Sequence, residues 1–149
     1  MSTDLTCTLR VTSHALDITT AFVRSQRFGI GRPIELDVAT PRIAALEYAL
    51  GALAGELVNG LRQFAWRRRV DLEHVEALVT GELEHGLAYL EVVGEDGVPR
   101  LAGVSVKVFV TSSDDVAVGR LWTLVLDRLP LLNTFRTAVP IQLELIVTP

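Results

Sequence analysis

Between Thr40 and Arg69, Leu46, Leu50, Leu53, Leu57, Leu61 and Phe64 recur at steps of three and four residues, the spacing of one apolar helix face. Thr40 fits the N-cap and Pro41 the first helical position, where its missing N–H costs nothing. Arg67, Arg68 and Arg69 fall at the other end, where the helix dipole favours cations. The pattern predicts one long helix. A second is predicted in "SSDDVAVGRLWTLVLDRL", with serines and aspartates at its start and Val118, Leu121, Trp122, Val125 and Leu129 at helical spacing.

Elsewhere the period is two. In "LTCTLRV" the residues Leu5, Cys7, Leu9 and Val11 alternate with Thr6, Thr8 and Arg10, and "ALDITTAFV" carries Leu16, Ile18 and Phe22 on one face. Joined at Ser13-His14, the two read as a hairpin. "QRFGIGRPIELDV" continues as short extended pieces broken by Gly29, Gly31 and Pro33. After the long helix, residues 74–112 read as three strand segments, with "GEDGVPR" as the turn between the last two. Pro130 opens a short turn, "PLLNTFRT", and Ile141, Leu143, Leu145 and Val147 mark a closing strand. Strands, long helix, strands, helix, strand: the order predicts an α+β fold.

Composition narrows the function classes. A length of 149 residues, 49% of them hydrophobic, suits one domain spanning 1–149. The formal charge of −4 argues against nucleic acid or an anionic membrane as partner. No apolar run approaches the about 20 residues that cross a bilayer, and "MSTDLTCTLRV" lacks the pattern of a secretion signal. A cytoplasmic location is expected. The single cysteine, Cys7, excludes an intrachain disulfide and a cysteine-rich zinc site, and its place on an apolar strand face points to a small core residue. His14, His74 and His85 match no metal-ligand spacing. Neither a metal nor another cofactor is expected.

At about 100° per residue, Glu56 shares a helix face with Ala45, Ala49, Ala52, Gly60 and Gln63. Small residues there allow another element to approach closely. An ionised carboxylate in such a place is costly unless paired. It should meet an arginine, or else face solvent with Arg62 or Gln63 as a local partner. Trp66 and Trp122, at helical spacing, read as core residues rather than cavity walls. The arginine run reads as a helix terminus, with a binding patch as the alternative.

The order of elements, together with "TPRIAALEYALGALAGELVNGLRQFAWRRRVDLEHVEALVTGELE", "GVSVKVFVTSSDD" and "LPLLNTFRTAVPIQLEL", resembles the OsmC/Ohr family of thiol-dependent hydroperoxide reductases over nearly the whole chain. The resemblance implies antiparallel sheets around a long central helix plus a second helix, assembled as an intertwined homodimer with the active site near the subunit boundary. The family's peroxide-reducing cysteine, which follows the segment matched by "EYALGAL", lines up with Glu56. Its partner, opening a Cys-Pro turn, lines up with Leu129 before Pro130. Both sulfurs are absent here, and neither a carboxylate nor an alkyl group can do the thiolate's work on an O–O bond. The resemblance further implies that Glu47 is the helix-start glutamate that orients an activating arginine, with Arg24 and Arg27 as the candidates for that arginine.

Three readings follow. In the favoured one the protein is a non-catalytic homodimer binding a small hydrophobic or cationic ligand in a pocket containing Glu56, Arg24, Arg27, Glu47 and Leu129. In the second, Glu56 is a general acid or base of altered chemistry. In the third, Leu129, Leu131 and Leu132 fill the old site and leave a structural dimer module.

Overall fold

A computed structural model describes residues 5–15, 18–31 and 42–149. The chain divides into two compact units, Met1–Ala49 and Leu50–Pro149.

The first unit holds β1 (Arg10–Ala15), β2 (Ile18–Val23) and β3 (Gln26–Ile30) in an antiparallel sheet of that order. The hairpin is present, but Ser13 and His14 lie within β1 rather than at the joint, since Ser13 pairs with Thr19 and Ala15 with Ile18. Leu16 lies outside the described residues. The alternating stretch around Cys7 precedes β1 and has no regular structure; Cys7 is exposed and Leu5 is 94% exposed. The expected core position of Cys7 is therefore corrected, because among the described residues no strand pairs with this stretch, and alternation without pairing buries nothing. Ala21 is buried on β2, and the Arg10 guanidinium lies 4.5 Å from the Phe22 ring centroid.

The long helix is α1 (Ala45–Arg68). The proposed cap at Thr40-Pro41 lies outside the described residues, and the helix begins after it. Ile43 explains the shift: its carbonyl accepts from the Gly31 N–H at 2.8 Å and so stays in an extended pairing. Gly31 must be glycine for that approach, because a Cβ there would sit 2.6 Å from Arg42 Cβ. Glu47 then folds back, and its carboxylate accepts from the Ala44 N–H at 2.7 Å, the returning half of a capping box.

At its other end α1 closes in a Schellman motif. The Val70 N–H donates to the Ala65 carbonyl and the Arg69 N–H to that of Trp66, with Arg69 at φ 56°. Glycine is the residue that takes this left-handed backbone without strain. Arg69→Gly is expected to raise stability by about 0.5–1 kcal/mol, measured by urea denaturation, after the extra conformational entropy that glycine gives the unfolded chain is offset.

In the second unit, β4 (His74–Glu84), β5 (Arg100–Thr111) and β6 (Ile141–Thr148) form one sheet in that order. β4 and β5 are antiparallel, whereas β5 and β6 are parallel. The sheet is thus mixed rather than wholly antiparallel, since β6 returns only after the crossover through α3 (Asp115–Leu126) and α4 (Pro130–Phe135). Two expectations are corrected here. Between β4 and β5 there is no middle strand but a helical turn, α2 (Gly86–Tyr89), entered through His85 at φ 54°. Both edges of β5 are already taken, by β4 and β6. The segment "PLLNTF" is likewise a helix, α4, with Pro130 at its start.

One apolar cluster joins the three layers of this unit. Leu53, Leu57 and Leu61 of α1, Val104, Val106, Val108 and Val110 of β5, and Val118, Leu121 and Val125 of α3 are all buried in it. Ile141, Leu143, Leu145 and Val147 cover its edge from one face of β6. The α3 start is capped as its sequence predicts, the Asp114 carboxylate accepting from the Ala117 N–H at 2.9 Å. Trp122 packs against the core, but Trp66 is 80% exposed and is not a core residue.

Candidate functional site

Glu56 projects from the middle of α1 toward the start of α4. Its Oε1 accepts from the Leu131 N–H at 3.0 Å and its Oε2 from the Leu132 N–H at 3.1 Å. The reason lies in the sequence of α4. The first N–H groups of any helix lack intrahelical acceptors, and here the residue before the helix is Leu129, which offers no side-chain oxygen. Pro130 has no N–H to satisfy, so Leu131 and Leu132 carry the orphan donors. Glu56 supplies both acceptors, and its charge suits the positive end of the helix dipole.

The alkyl part of the site closes by packing. Leu129 is 4% exposed and Leu132 fully buried, while Leu131 is partly exposed. Leu129 lies against Gly60, one turn beyond Glu56: a Cβ on Gly60 would stand 2.6 Å from Leu129 Cδ2 and 3.2 Å from Val125 Cγ1. The small-residue face of α1 admits this leucine.

Glu56 and Leu129 are therefore brought together at one junction of α1 with α4. Within the second unit, the partners of the carboxylate are two main-chain N–H groups. Arg62 is engaged elsewhere, donating to the carbonyls of Leu72 and Glu73. Arg24 and Arg27 belong to the first unit. Arg24 sits at φ 53° in the turn between β2 and β3, Arg27 on β3 opposite Phe22, and both are exposed. Glu47 is bonded to Ala44, as above.

Sequence reasoning did not find the Leu131 and Leu132 amides. The signal was a helix start, "LPLLNTF", with no polar residue ahead of the proline, which calls for an acceptor from far along the chain. Among the described residues, no group of three or more His, Cys, Asp or Glu side chains is placed to hold a metal ion. No helix among them is long and apolar enough to cross a membrane.

Two three-stranded sheets, a long helix between them in the chain and a crossover through two shorter helices make up the OsmC-like fold. The chain superposes on an OsmC-like protein from Mycoplasma pneumoniae with a TM-score of 0.80 at 15% identity, covering 98% of this chain and 99% of that one. An organic hydroperoxide resistance protein, OsmC, from Legionella pneumophila matches with a TM-score of 0.70 at 15% identity over 95% and 97% of the two chains. An OsmC-like protein of unknown function from Vibrio cholerae matches with a TM-score of 0.73 at 13% identity over 96% and 100%. No protein-family model and no curated protein matches the sequence.

Proposed function

We propose that this chain is a divergent OsmC-like protein that has exchanged the thiol pair for a structural clamp and serves as a non-catalytic dimeric module rather than as a hydroperoxide reductase. The observation that carries this reading is the commitment of both Glu56 oxygens to α4. Hydroperoxide reduction needs a thiolate to attack the O–O bond, release an alcohol and become a sulfenic acid, which a second thiol converts to a disulfide with loss of water. The only sulfhydryl is Cys7, exposed on the segment before β1. A carboxylate held by two N–H groups is also poorly placed to exchange protons with a substrate. The clamp therefore favours the filled-site reading over those in which Glu56 faces a ligand or a substrate. Homodimerisation, which the resemblance implies, belongs to the same proposal.

The test is consumption of cumene hydroperoxide with excess dithiothreitol or dihydrolipoamide as reductant. The expected rate is that of the protein-free control, for the wild type and for Cys7→Ser alike. Turnover above the control, whether or not it survives Cys7→Ser, would sink the reading.

A further inference from the structure

The arginine run does more than end a helix. Trp66, Arg67, Arg69, Val70 and Asp71 line an open depression of about 670 Å³, and Arg68, Val70, Ala117, Arg120, Leu121 and Leu124 line a second of about 230 Å³. Val70 lines both depressions, which adjoin at this residue as a groove in two parts between the end of α1 and α3. Four guanidinium groups border it, and among the described residues none of them forms an ion pair. Asp71 and the partial negative charge of the helix end offset only part of that charge. A positive patch thus stands on a chain of net charge −4.

Two further observations point to a partner. Trp66 is 80% exposed, and tryptophan and arginine are the residue types that dominate binding hot spots. Arg69 occupies a backbone position at φ 56° that glycine would hold with less strain, and such residues gather where function maintains them. Nearby, the Arg67 guanidinium lies 5.6 Å from the Phe64 ring centroid, which steadies its direction.

We propose that this groove docks an acidic segment of a partner protein, its carboxylates on the guanidinium groups and an apolar side chain against Trp66 and Leu124. The openness of the groove suits a peptide laid across two helices better than an enclosed small molecule. The net negative charge opposes a dense polyanion such as nucleic acid more than a segment with a few carboxylates. The inference is independent of whether the protein reduces hydroperoxides.

The experiment is fluorescence anisotropy of the full chain with labelled peptides of alternating glutamate and phenylalanine, compared with lysine-phenylalanine and glutamate-serine versions. Saturable binding is expected for the acidic aromatic peptide, weakening as salt rises. Trp66→Ala and Arg120→Glu, on separate helices, are each expected to weaken it about tenfold. Arg69→Gly should weaken binding while raising the melting temperature, a split that a purely structural arginine would not give. Absence of saturable binding, equal binding of the lysine peptide, or indifference to both Trp66→Ala and Arg120→Glu would overturn the proposal. So would a change in oligomeric state in either variant, which would assign the groove to contact between copies of this chain.

Discussion

Leu129→Ala is expected to destabilise the folded chain by about 2–4 kcal/mol, because it removes a buried leucine and leaves a cavity that its neighbours only partly refill. For a chain of this size that corresponds to a fall in melting temperature of about 4–16 °C. The loss should depend on Gly60. Gly60→Ala alone places a methyl group 2.6 Å from Leu129 Cδ2, and the overpacking, about 1–3 kcal/mol, exceeds or cancels the roughly 1 kcal/mol gained in helix propensity. In the double variant that clash is gone and the new methyl occupies part of the cavity. The double variant should therefore be more stable than the sum of the two single losses predicts, with a coupling of about 1–2 kcal/mol by urea denaturation. Strict additivity would mean that Leu129 and Gly60 do not pack as described.

Glu56→Ala is expected to cost about 2 kcal/mol, since it strips two charge-assisted acceptors from the start of α4 and leaves Leu131 and Leu132 to water. Glu56→Gln keeps one carbonyl oxygen and turns an amide NH₂ toward the other donor, so it should lose about half as much or more. The bond from Leu131 is exposed and that from Leu132 part-buried, and solvent limits the loss to this range rather than that of a fully buried charge. An acid held for chemistry would behave differently, its neutral isostere abolishing an activity while leaving stability little changed.

The long helix, the closing strand and the capped α3 were legible in the sequence because local signals determine them. Six apolar positions at helical period, four alternating ones, and an aspartate three residues ahead of the N–H it caps are all short-range patterns. The failures share a cause, which is that pairing and capping partners lie far away in the chain. Cys7 alternates correctly but has no strand to pair with among the described residues. The segment after His85 looked extended, yet β5 already has β4 and β6 on its two sides. The α4 helix looked like a turn because six residues opening on proline carry little period, and its cap comes from Glu56, 75 positions away. For the same reason the sequence could place Glu56 on a small-residue face but could not name its partner. Trp66 was misjudged in another way: helical spacing says which residues share a face, and Trp66 falls beside the buried stripe of Leu57, Leu61 and Ala65 rather than within it.

Amide hydrogen exchange at Leu131 and Leu132, followed by NMR in the wild type and in Glu56→Ala, tests the clamp most directly. The expected result is slow exchange of both amides in the wild type and at least about tenfold faster exchange in the variant, while the Ala117 amide, capped by Asp114 at the start of α3, keeps its rate. Fast exchange of both amides in the wild type, or rates that Glu56→Ala leaves unchanged, would contradict the clamp and return Glu56 to the readings in which it faces a ligand or a substrate.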